Sequence, residues 1–409
     1  MTAPTATQLD LTAPLVVKKI SQRSLVVGVV FTVIAVGSAV ILPNGREEFF
    51  RAYLLGFMCW LGVALGSMAI LMIRHLTGGG WGMVIRRILG AAMRTVPLLA
   101  VLFIPVILGM KHLYIWDRPL SEVTDKHLRE HLVDITATYL NWKGFVLRAV
   151  FYFAIWNLLS FLLSKWSKQS DHAGAPDNTD RFKVIAGPGL ILYGFTISFA
   201  AIDWVMSLDP SWISTIFGLV ILIGEVLSAM CFAVVVERIL FNYKPMSEML
   251  KPDFVHDHGK WMLAFTMVWA YFNFSQWLII WAGNLPAEIT YYIRRLNGGW
   301  GYVGLIIVIF HFAVPFTILL SRPFKRDIHR LVWLAVWLIL MRFVDMFWII
   351  EPNFSLTLRV TLADVVVPIA IGGLWLAYFF NNLAALPLLP AYDPSVGEVL
   401  EPAHRHGGA

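Results

Sequence analysis

The chain has 409 residues, of which 58% are hydrophobic and only 14% are charged. Soluble domains carry roughly 25% charged residues, so this composition excludes a soluble globular protein. Two cysteines cannot supply the four thiolates of an iron–sulfur cluster. The net charge of +6 does not indicate a nucleic-acid partner, because lysine and arginine in so apolar a chain mainly orient its loops in a membrane. The chain is therefore predicted to be an integral membrane protein.

Ten segments are apolar enough and long enough to cross a bilayer as helices. None alternates with the two-residue period of a membrane β-barrel strand, so the predicted fold is an all-α membrane domain over residues 24–380. Residues 1–23 and 381–409 are predicted to form an N-terminal arm and a C-terminal tail, of which the first 15 residues and the part after Asn382 are predicted to be extended. The predicted spans cover residues 24–42, 49–73, 82–110, 143–164, 182–206, 213–241, 259–281, 298–320, 331–350 and 361–380.

Lysine and arginine are distributed unevenly between the two sets of loops. If the N-terminus lies in the cytoplasm, 19 of the 32 such residues, Arg405 among them, fall on the cytoplasmic side and ten on the other side. The remaining three, Arg94, Arg148 and Arg342, lie inside spans. Cytoplasmic loops carry the excess of positive charge, and the number of spans is even. Both termini are therefore predicted to be cytoplasmic.

The one long connection between spans, residues 111–141, then lies outside the cytoplasm. Its apolar residues recur with a helix-like spacing beside charged positions, which is typical of a helix that lies on a surface. We expect such a helix here, or a platform on which a partner outside the membrane docks. The apolar stripe consists of Leu120, Val123, Leu128, Leu132 and Ile135.

The histidines do not follow the pattern of a membrane haem protein. A haem of the cytochrome b type needs axial histidines that face each other from two helices. Among the 11 histidines only His311 lies deep within a predicted span, whereas His75, His112 and His258 lie near span ends. No P-loop or zinc-binding HExxH pattern occurs. The chain is therefore predicted to bind no haem, cluster or metal ion of its own.

Ionisable residues inside spans are costly in hydrocarbon, so each is a functional candidate. Helical spacing places Tyr193 and Asp203 on one face of the fifth span, and Glu225 and Ser228 on one face of the sixth. Carboxylate, hydroxyl and imidazole groups on facing helices form a ladder along which protons can pass with the help of water. The candidates for such a route are Asp203, Glu225, His311, Asp345, Arg342, Arg94, Tyr193, Ser228, Tyr271, Ser275, His75 and His258.

Several of these residues also have a purely structural interpretation. Arg342 and Asp345, one helical turn apart, are equally well explained as a pair that neutralises itself. Glu237 and Arg238, at a span end, are interpreted as an interfacial pair, so that Glu237 is expected to matter less than Glu225.

Two further residues differ in how easily they are explained. His311 has, as an alternative to a proton role, a hydrogen bond to a backbone carbonyl beside Pro315. Arg94 has no adjacent acid, so its partner must come from another helix.

The ends of the fifth and seventh spans combine polar residues, tryptophans and prolines on the predicted outer side. A shallow polar pocket lined by aromatic side chains could accept a quinone headgroup there, although tight turns between spans have the same composition. The quinone-binding candidates are Asp203, Trp204, Asp209, Gln276 and Asn284.

Several stretches of the chain resemble a known family. They are GFMCWLGVALGS at 56–67, HLTGGGWG at 75–82, HLYIWDRP at 112–119, IDWVMSLDP at 202–210 and SQWLIIWAGNLP at 275–286. Together with Pro97 and Pro105 in the third span, they resemble the ActF-type membrane subunit of bacterial alternative complex III. That subunit belongs to the superfamily of membrane subunits like NrfD and polysulfide reductase.

The resemblance implies two four-helix bundles, spans two to five and six to nine, flanked by the first and tenth spans. It implies a quinol:cytochrome c (electron-acceptor) oxidoreductase of the bacterial cytoplasmic membrane, in which this subunit supports assembly and proton movement and menaquinone or ubiquinone is the quinone. In that family an ActC-type subunit is the better-supported quinol oxidant. The implied partners, which would carry haem c and the iron–sulfur clusters, are multihaem and monohaem cytochromes c, an iron–sulfur protein, the ActC-type subunit and small membrane subunits.

Two other functions remain open from the sequence. One is a stand-alone secondary transporter, against which no pair of spans broken by glycine or proline occupies matching positions in the two halves. The other is a subunit with a quinol-oxidising site of its own. Whether the chain is itself an enzyme is left open, because it is predicted to carry no redox cofactor.

Overall fold

The computed structural model describes residues 11–123, 126–172, 174, 176–390, 392, 393 and 396. Over these residues the chain is helical and has no strand, and ten of its helices are long and apolar enough to cross a membrane. The all-α, multi-pass membrane fold is thus confirmed. Arg405, counted above for the orientation, and residues 1–10 of the predicted N-terminal arm lie outside the described residues.

We number the ten membrane-length helices in chain order as spans 1 to 10. Shorter helices lie at Lys126–Thr138, Met246–Met249, Pro286–Leu296 and Arg322–Lys325. We call the end of the molecule that carries the 126–138 and 286–296 helices the long-connection end, and the opposite end the termini end. Spans 1 to 10 are Leu15–Ile41, Gly45–Thr77, Gly80–Leu108, Trp142–Gln169, Thr179–Leu208, Phe217–Leu240, Pro252–Gly283, Trp300–Leu320, Ile328–Asn353 and Leu362–Ala384.

Spans 2 and 6 form the centre of the molecule and pack against each other. Span 2 also contacts spans 3, 5 and 9, and span 6 also contacts spans 5, 7 and 9, so the groups formed by spans 2–5 and spans 6–9 meet along spans 2, 5 and 6. Spans 1 and 10 pack along each other and against span 2. The centre is tight because Gly66 has no side chain: a Cβ there would lie 2.3 Å from the carbonyl oxygen of Glu225.

Two spans depart from a regular α-helix in their interior. Span 3 is interrupted at Arg94–Thr95 and at Phe103, each close before a proline, Pro97 or Pro105, that cannot continue the hydrogen-bond ladder. Span 8 contains a π-helical turn, Val308–Ala313, directly before Pro315. Span 3 is the second helix of its group and span 8 the third of its own, so the interruptions do not match between the groups.

The first helix begins before the predicted first span, and the described part of the C-terminal tail is packed. The first helix begins at Leu15, nine residues before the predicted span, because the helix continues through the exposed Lys18, Lys19 and Arg23 beyond the apolar stretch. The described part of the C-terminal tail packs back onto the molecule instead of extending away from it. Leu388 is buried and donates its N–H to the carbonyl of Leu11 at 2.8 Å.

The long connection contains the predicted surface helix, although only in part. The helix covers Lys126–Thr138, with Leu132 buried against the protein, whereas Leu120 lies before it and is exposed. A second helix at this end, Pro286–Leu296, was not predicted. This helix is strongly amphipathic, but it is too short to be recognised in a search for membrane-length apolar segments.

Candidate functional site

A tyrosine–glutamate pair lies between spans 5 and 6. The hydroxyl of Tyr193 donates to Oε2 of Glu225 at 2.9 Å, and both side chains are buried, Glu225 with 1% of its surface exposed. The other carboxylate oxygen of Glu225 has no hydrogen-bond partner among the described residues. Gly62 and Gly66 of span 2 lie against this glutamate. Two residues that the sequence placed on separate helices are therefore brought together at the junction of the two groups of spans.

A second buried carboxylate, Asp203, lies toward the long-connection end of span 5. Its Oδ2 accepts hydrogen bonds from Nε of Arg148 and from the hydroxyl of Tyr152, both at 2.8 Å, and Asp203 is 0% exposed. The guanidinium of Arg148 also lies 3.9 Å from the centre of the Tyr139 ring. Burial, followed by the charge of Asp203, raises the pKa of Tyr139 to about 12, so this hydroxyl keeps its proton.

The sequence missed Arg148 as the partner of Asp203. A signal for it existed, because Arg148 is one of the three cations that the charge count assigned to neither side of the membrane, and a buried guanidinium needs a carboxylate. Between Asp203 and Tyr193 the same face of span 5 carries Thr196, whose hydroxyl oxygen accepts from Nε1 of Trp156 at 2.8 Å. The polar stripe of span 5 is thus buried along its length against neighbouring helices.

The Arg342–Asp345 pair forms within span 9. Nη1 of Arg342 and Oδ2 of Asp345 are 2.5 Å apart, in agreement with the interpretation as a self-neutralising pair. Nε1 of Trp269 in span 7 also donates to Oδ2 of Asp345, at 3.4 Å. Trp269 in turn packs on His311, with ring centres 4.3 Å apart.

The alternative hydrogen bond proposed for His311 does not form. Neither ring nitrogen has a hydrogen-bond partner among the described residues, although the side chain is buried. The ring lies in the π-helical turn of span 8, where the widened backbone directs it toward Trp269 rather than toward the carbonyls near Pro315. A buried imidazole without a partner, in a π-helical turn, is a feature often found at functional sites.

The interfacial interpretation of Glu237 is wrong. Glu237 and His258 are both 0% exposed, and Oε2 of the glutamate lies 3.0 Å from Nδ1 of the histidine across spans 6 and 7. Nε2 of His258 is 2.9 Å from the carbonyl oxygen of Trp81. Successive residues of a helix point about 100° apart, so Glu237 points inward while Arg238 does not. The termini end therefore has a buried acid–base pair of its own.

The remaining candidates at the middle and the termini end have separate partners. Nη2 of Arg94 donates to the carbonyl of Asn382 in span 10 at 2.7 Å, so its partner comes from another helix, as expected. His75 stacks on Phe182 with ring centres 4.0 Å apart. The hydroxyl of Ser228 donates to the carbonyl of Gly224 rather than to Glu225.

Tyr271 and Ser275 do not join the buried polar groups. Tyr271 is 64% exposed on the outer surface of span 7, and Ser275 is only half-buried. The buried face of this helix carries Trp269 and Gln276 instead. Tyr271 lies two residues from Trp269, which turns it to the opposite side of an α-helix.

The five quinone-binding candidates do not line one pocket. Asp203 and Trp204 are buried in the protein interior, whereas Asn284 is exposed at the end of span 7. Asp209 alone among the five lines the cavity of about 390 Å³ at the long-connection end, where it is paired with an arginine of the 286–296 helix. Gln276 is buried and hydrogen-bonded to neighbouring side chains. Quinone binding by these residues stays a prediction.

No known family model and no curated protein matches this chain. Among the residues that the structure describes, no three or more histidine, cysteine or acidic side chains are arranged to hold a metal ion. The fold and the site together define a class of protein: a multi-pass α-helical membrane protein with buried acid–base groups at several depths. The groups are Asp203 with Arg148, Glu225 with Tyr193, Asp345 with Arg342, and Glu237 with His258.

Proposed function

We propose that the chain is a membrane subunit of a quinol:electron-acceptor oxidoreductase of the alternative complex III type, and that it conducts protons through its spans. The observation that carries the proton role is the buried Tyr193–Glu225 pair at the junction of the two groups of spans. The assignment to this complex is supported by the sequence stretches that resemble the ActF-type subunit. The chain then supplies no redox cofactor, and haem c and iron–sulfur clusters belong to its partners.

The buried groups lie at intervals that water has to bridge. Asp203 follows Tyr193 by ten residues on span 5, about 15 Å along the axis, with Thr196 between them. Glu237 follows Glu225 by 12 residues on span 6, about 18 Å along the axis. Protons cross hydrocarbon by short transfers between such groups and ordered water molecules. Each cluster would therefore act as a proton-binding site along the route.

In this proposal the protein lies in the bacterial cytoplasmic membrane with both termini in the cytoplasm. The long-connection end, with the 126–138 and 286–296 helices, then faces the cytochromes c and the iron–sulfur protein. The termini end, with Glu237 and His258, faces the cytoplasm. The ActC-type subunit and small membrane subunits would cover part of the apolar outer surface, and lipid the rest.

Purification tests the assignment to a complex. A tagged chain extracted in mild detergent should bring with it c-type haem absorbance, iron–sulfur clusters and quinol:cytochrome c reductase activity. Reconstituted into closed vesicles, the same preparation should release protons during turnover. A transporter would instead be stable and monodisperse without haem proteins, and that result would overturn the proposal. A quinone photolabel attached to this chain rather than to its partners would instead favour a quinol-oxidising site within it.

A further inference from the structure

An apolar crevice of about 310 Å³ lies between spans 1, 2, 6, 9 and 10 in the half of the molecule nearer the termini end. Its walls are mostly aliphatic and aromatic, with Trp60, Phe232 and Phe380 among them. Leu340, which also lines it, is 55% exposed on the outer surface of span 9, so the crevice reaches the surface that faces the bilayer. A space of this kind in the hydrocarbon layer suits an acyl chain.

The one charged side chain among the residues lining the crevice is already compensated. Arg342 contacts Asp345 through Nη1 and donates from Nη2 to the carbonyl of Ile221 at 3.4 Å. It therefore offers no spare charge to a headgroup at that depth. A polar head must lie elsewhere along the crevice, and its tail would occupy the apolar part.

Unpaired cations flank the crevice toward the termini end. Lys19 and Arg23 are next to the lining residues Ile20 and Ser24 on span 1, and both are exposed. On span 6, Arg238 is next to the lining residue Ile239. None of these three cations forms an ion pair with a residue that the structure describes.

Glu237, the acidic residue next to Arg238 in the chain, does not form an ion pair with it. Glu237 is buried against His258 on the inner side of span 6. The three cations next to lining residues therefore have no acidic partner among the described residues. Long lysine and arginine side chains can extend to the level of lipid phosphates. Basic clusters beside a gap between membrane helices are typical of sites that bind anionic headgroups.

We propose that this crevice binds an anionic phospholipid. One acyl chain lies along Trp60, Phe232 and Phe380, and the phosphate lies between the cations of span 1 and Arg238. The bound lipid would join span 1 to spans 6 and 9, which the helix otherwise meets only weakly, since span 1 packs mainly on span 10 and span 2. This site is independent of the proposed proton route.

Lipid titration of the purified assembly tests the site. The assembly is stripped of lipid in detergent, then titrated with phosphatidylglycerol or phosphatidylcholine while lipid retention is measured by native mass spectrometry. We expect phosphatidylglycerol to be retained preferentially. A double variant, Lys19→Gln with Arg23→Gln, should bind it more than about tenfold more weakly, since each cation near an anionic lipid contributes about a factor of five.

A matched variant and a blocking variant complete the test. The matched double variant Lys165→Gln with Lys168→Gln removes two exposed cations from the termini end of span 4. These residues do not line the crevice, so lipid retention should stay unchanged. Val235→Trp should fill the crevice and abolish retention without removing any charge. Equal retention of both lipids, retention of a neutral quinone in their place, no retention at all, or unchanged binding in the span 1 variant would overturn the proposal.

Discussion

The four acids of the proposed proton route differ in what compensates their charge. Asp203 and Asp345 each contact an arginine, and Glu237 contacts a histidine. Among the described residues Glu225 has one hydrogen-bond partner, the hydroxyl of Tyr193, and none for its other carboxylate oxygen. An arginine in direct contact compensates the charge of a buried carboxylate, whereas a hydroxyl brings no opposite charge. Glu225 is therefore the best candidate for the proton-binding group in the middle of the route.

Replacing Glu225 by glutamine tests that role. Glutamine keeps the size of the side chain and a hydrogen bond with Tyr193 but cannot titrate, so Glu225→Gln should lower quinol-driven proton translocation in vesicles about tenfold or more. The haem content of the purified variant should stay at the wild-type level, which reports intact assembly. Glu130→Gln, on the exposed face of the 126–138 helix, is the control and should behave as wild type. Unchanged translocation in a fully assembled Glu225→Gln variant would reduce this carboxylate to a structural hydrogen-bonding group.

The Glu237–His258 pair makes a second prediction at the level of single residues. Because both side chains are fully buried, His258→Leu leaves Glu237 without its partner and should lower the free energy of unfolding by about 3 kcal/mol. Glu237→Gln combined with His258→Leu should recover part of this loss, because no unpaired charge then remains. Thermal unfolding of the purified assembly measures both. If His258→Leu unfolds at the wild-type temperature, the pair does not stabilise the contact between spans 6 and 7.

At the scale of helices, close packing and local interruptions position these residues. Span 2 approaches span 6 closely because glycines face Glu225, and this contact holds the glutamate against Tyr193. Span 3 is interrupted shortly before each of its two prolines, and the π-helical turn of span 8 contains the buried His311. The geometry of the site thus depends on glycines and on interrupted or π-helical turns, most of them in helices that carry few of the proposed proton-route residues.

Alanine at Gly66 tests the contact between spans 2 and 6. Its Cβ would meet the backbone oxygen of Glu225, which cannot move aside, so Gly66→Ala should lower the free energy of unfolding by about 1–3 kcal/mol. Gly194→Ala is a matched control in span 5, because no atom lies within 4 Å of a Cβ there. Alanine favours a helix interior, so the control should be neutral or slightly stabilising. Equal melting temperatures for the two variants would show that the close contact between spans 2 and 6 at Gly66 does not stabilise the protein.

At the scale of the whole molecule, spans 2–5 and spans 6–9 meet along spans 2, 5 and 6, and spans 1 and 10 lie against span 2. The termini end is covered by the described part of the C-terminal tail, in which Asp393 pairs with Arg86 of span 3. The long-connection end is covered by the 126–138 and 286–296 helices. The two ends therefore present different surfaces, as expected of a chain with a defined orientation in its membrane.

Reporter fusions test the orientation. The excess of lysine and arginine in loops of the termini end predicts that both termini are cytoplasmic and that the 126–138 helix is not. Alkaline phosphatase inserted after Gly174, on a loop of the termini end, should be inactive, and inserted in the 126–138 helix it should be active. The reverse pattern would invert every assignment of a side in the proposed proton route.

Much of this organisation follows from the sequence alone. Composition determined the class of protein, because nothing but a membrane accommodates so many apolar residues, and the lengths of the apolar segments determined the number of spans. Helical periodicity placed Tyr193, Thr196 and Asp203 on one face of span 5, since a helix fixes the relative angles of its own side chains. The surface helix of the long connection was also predicted, because its apolar stripe lies beside charged residues.

Only the tertiary structure decided which face of each span turns inward and which charges meet. Arg148 and Asp203, and Glu237 and His258, come from different helices, and no local pattern relates them. In a soluble protein the polar face of a helix marks the outside, but membrane helices are apolar on every side, so periodicity does not orient them. Tyr271 was placed in the interior for this reason, and packing between helices turned it toward the bilayer.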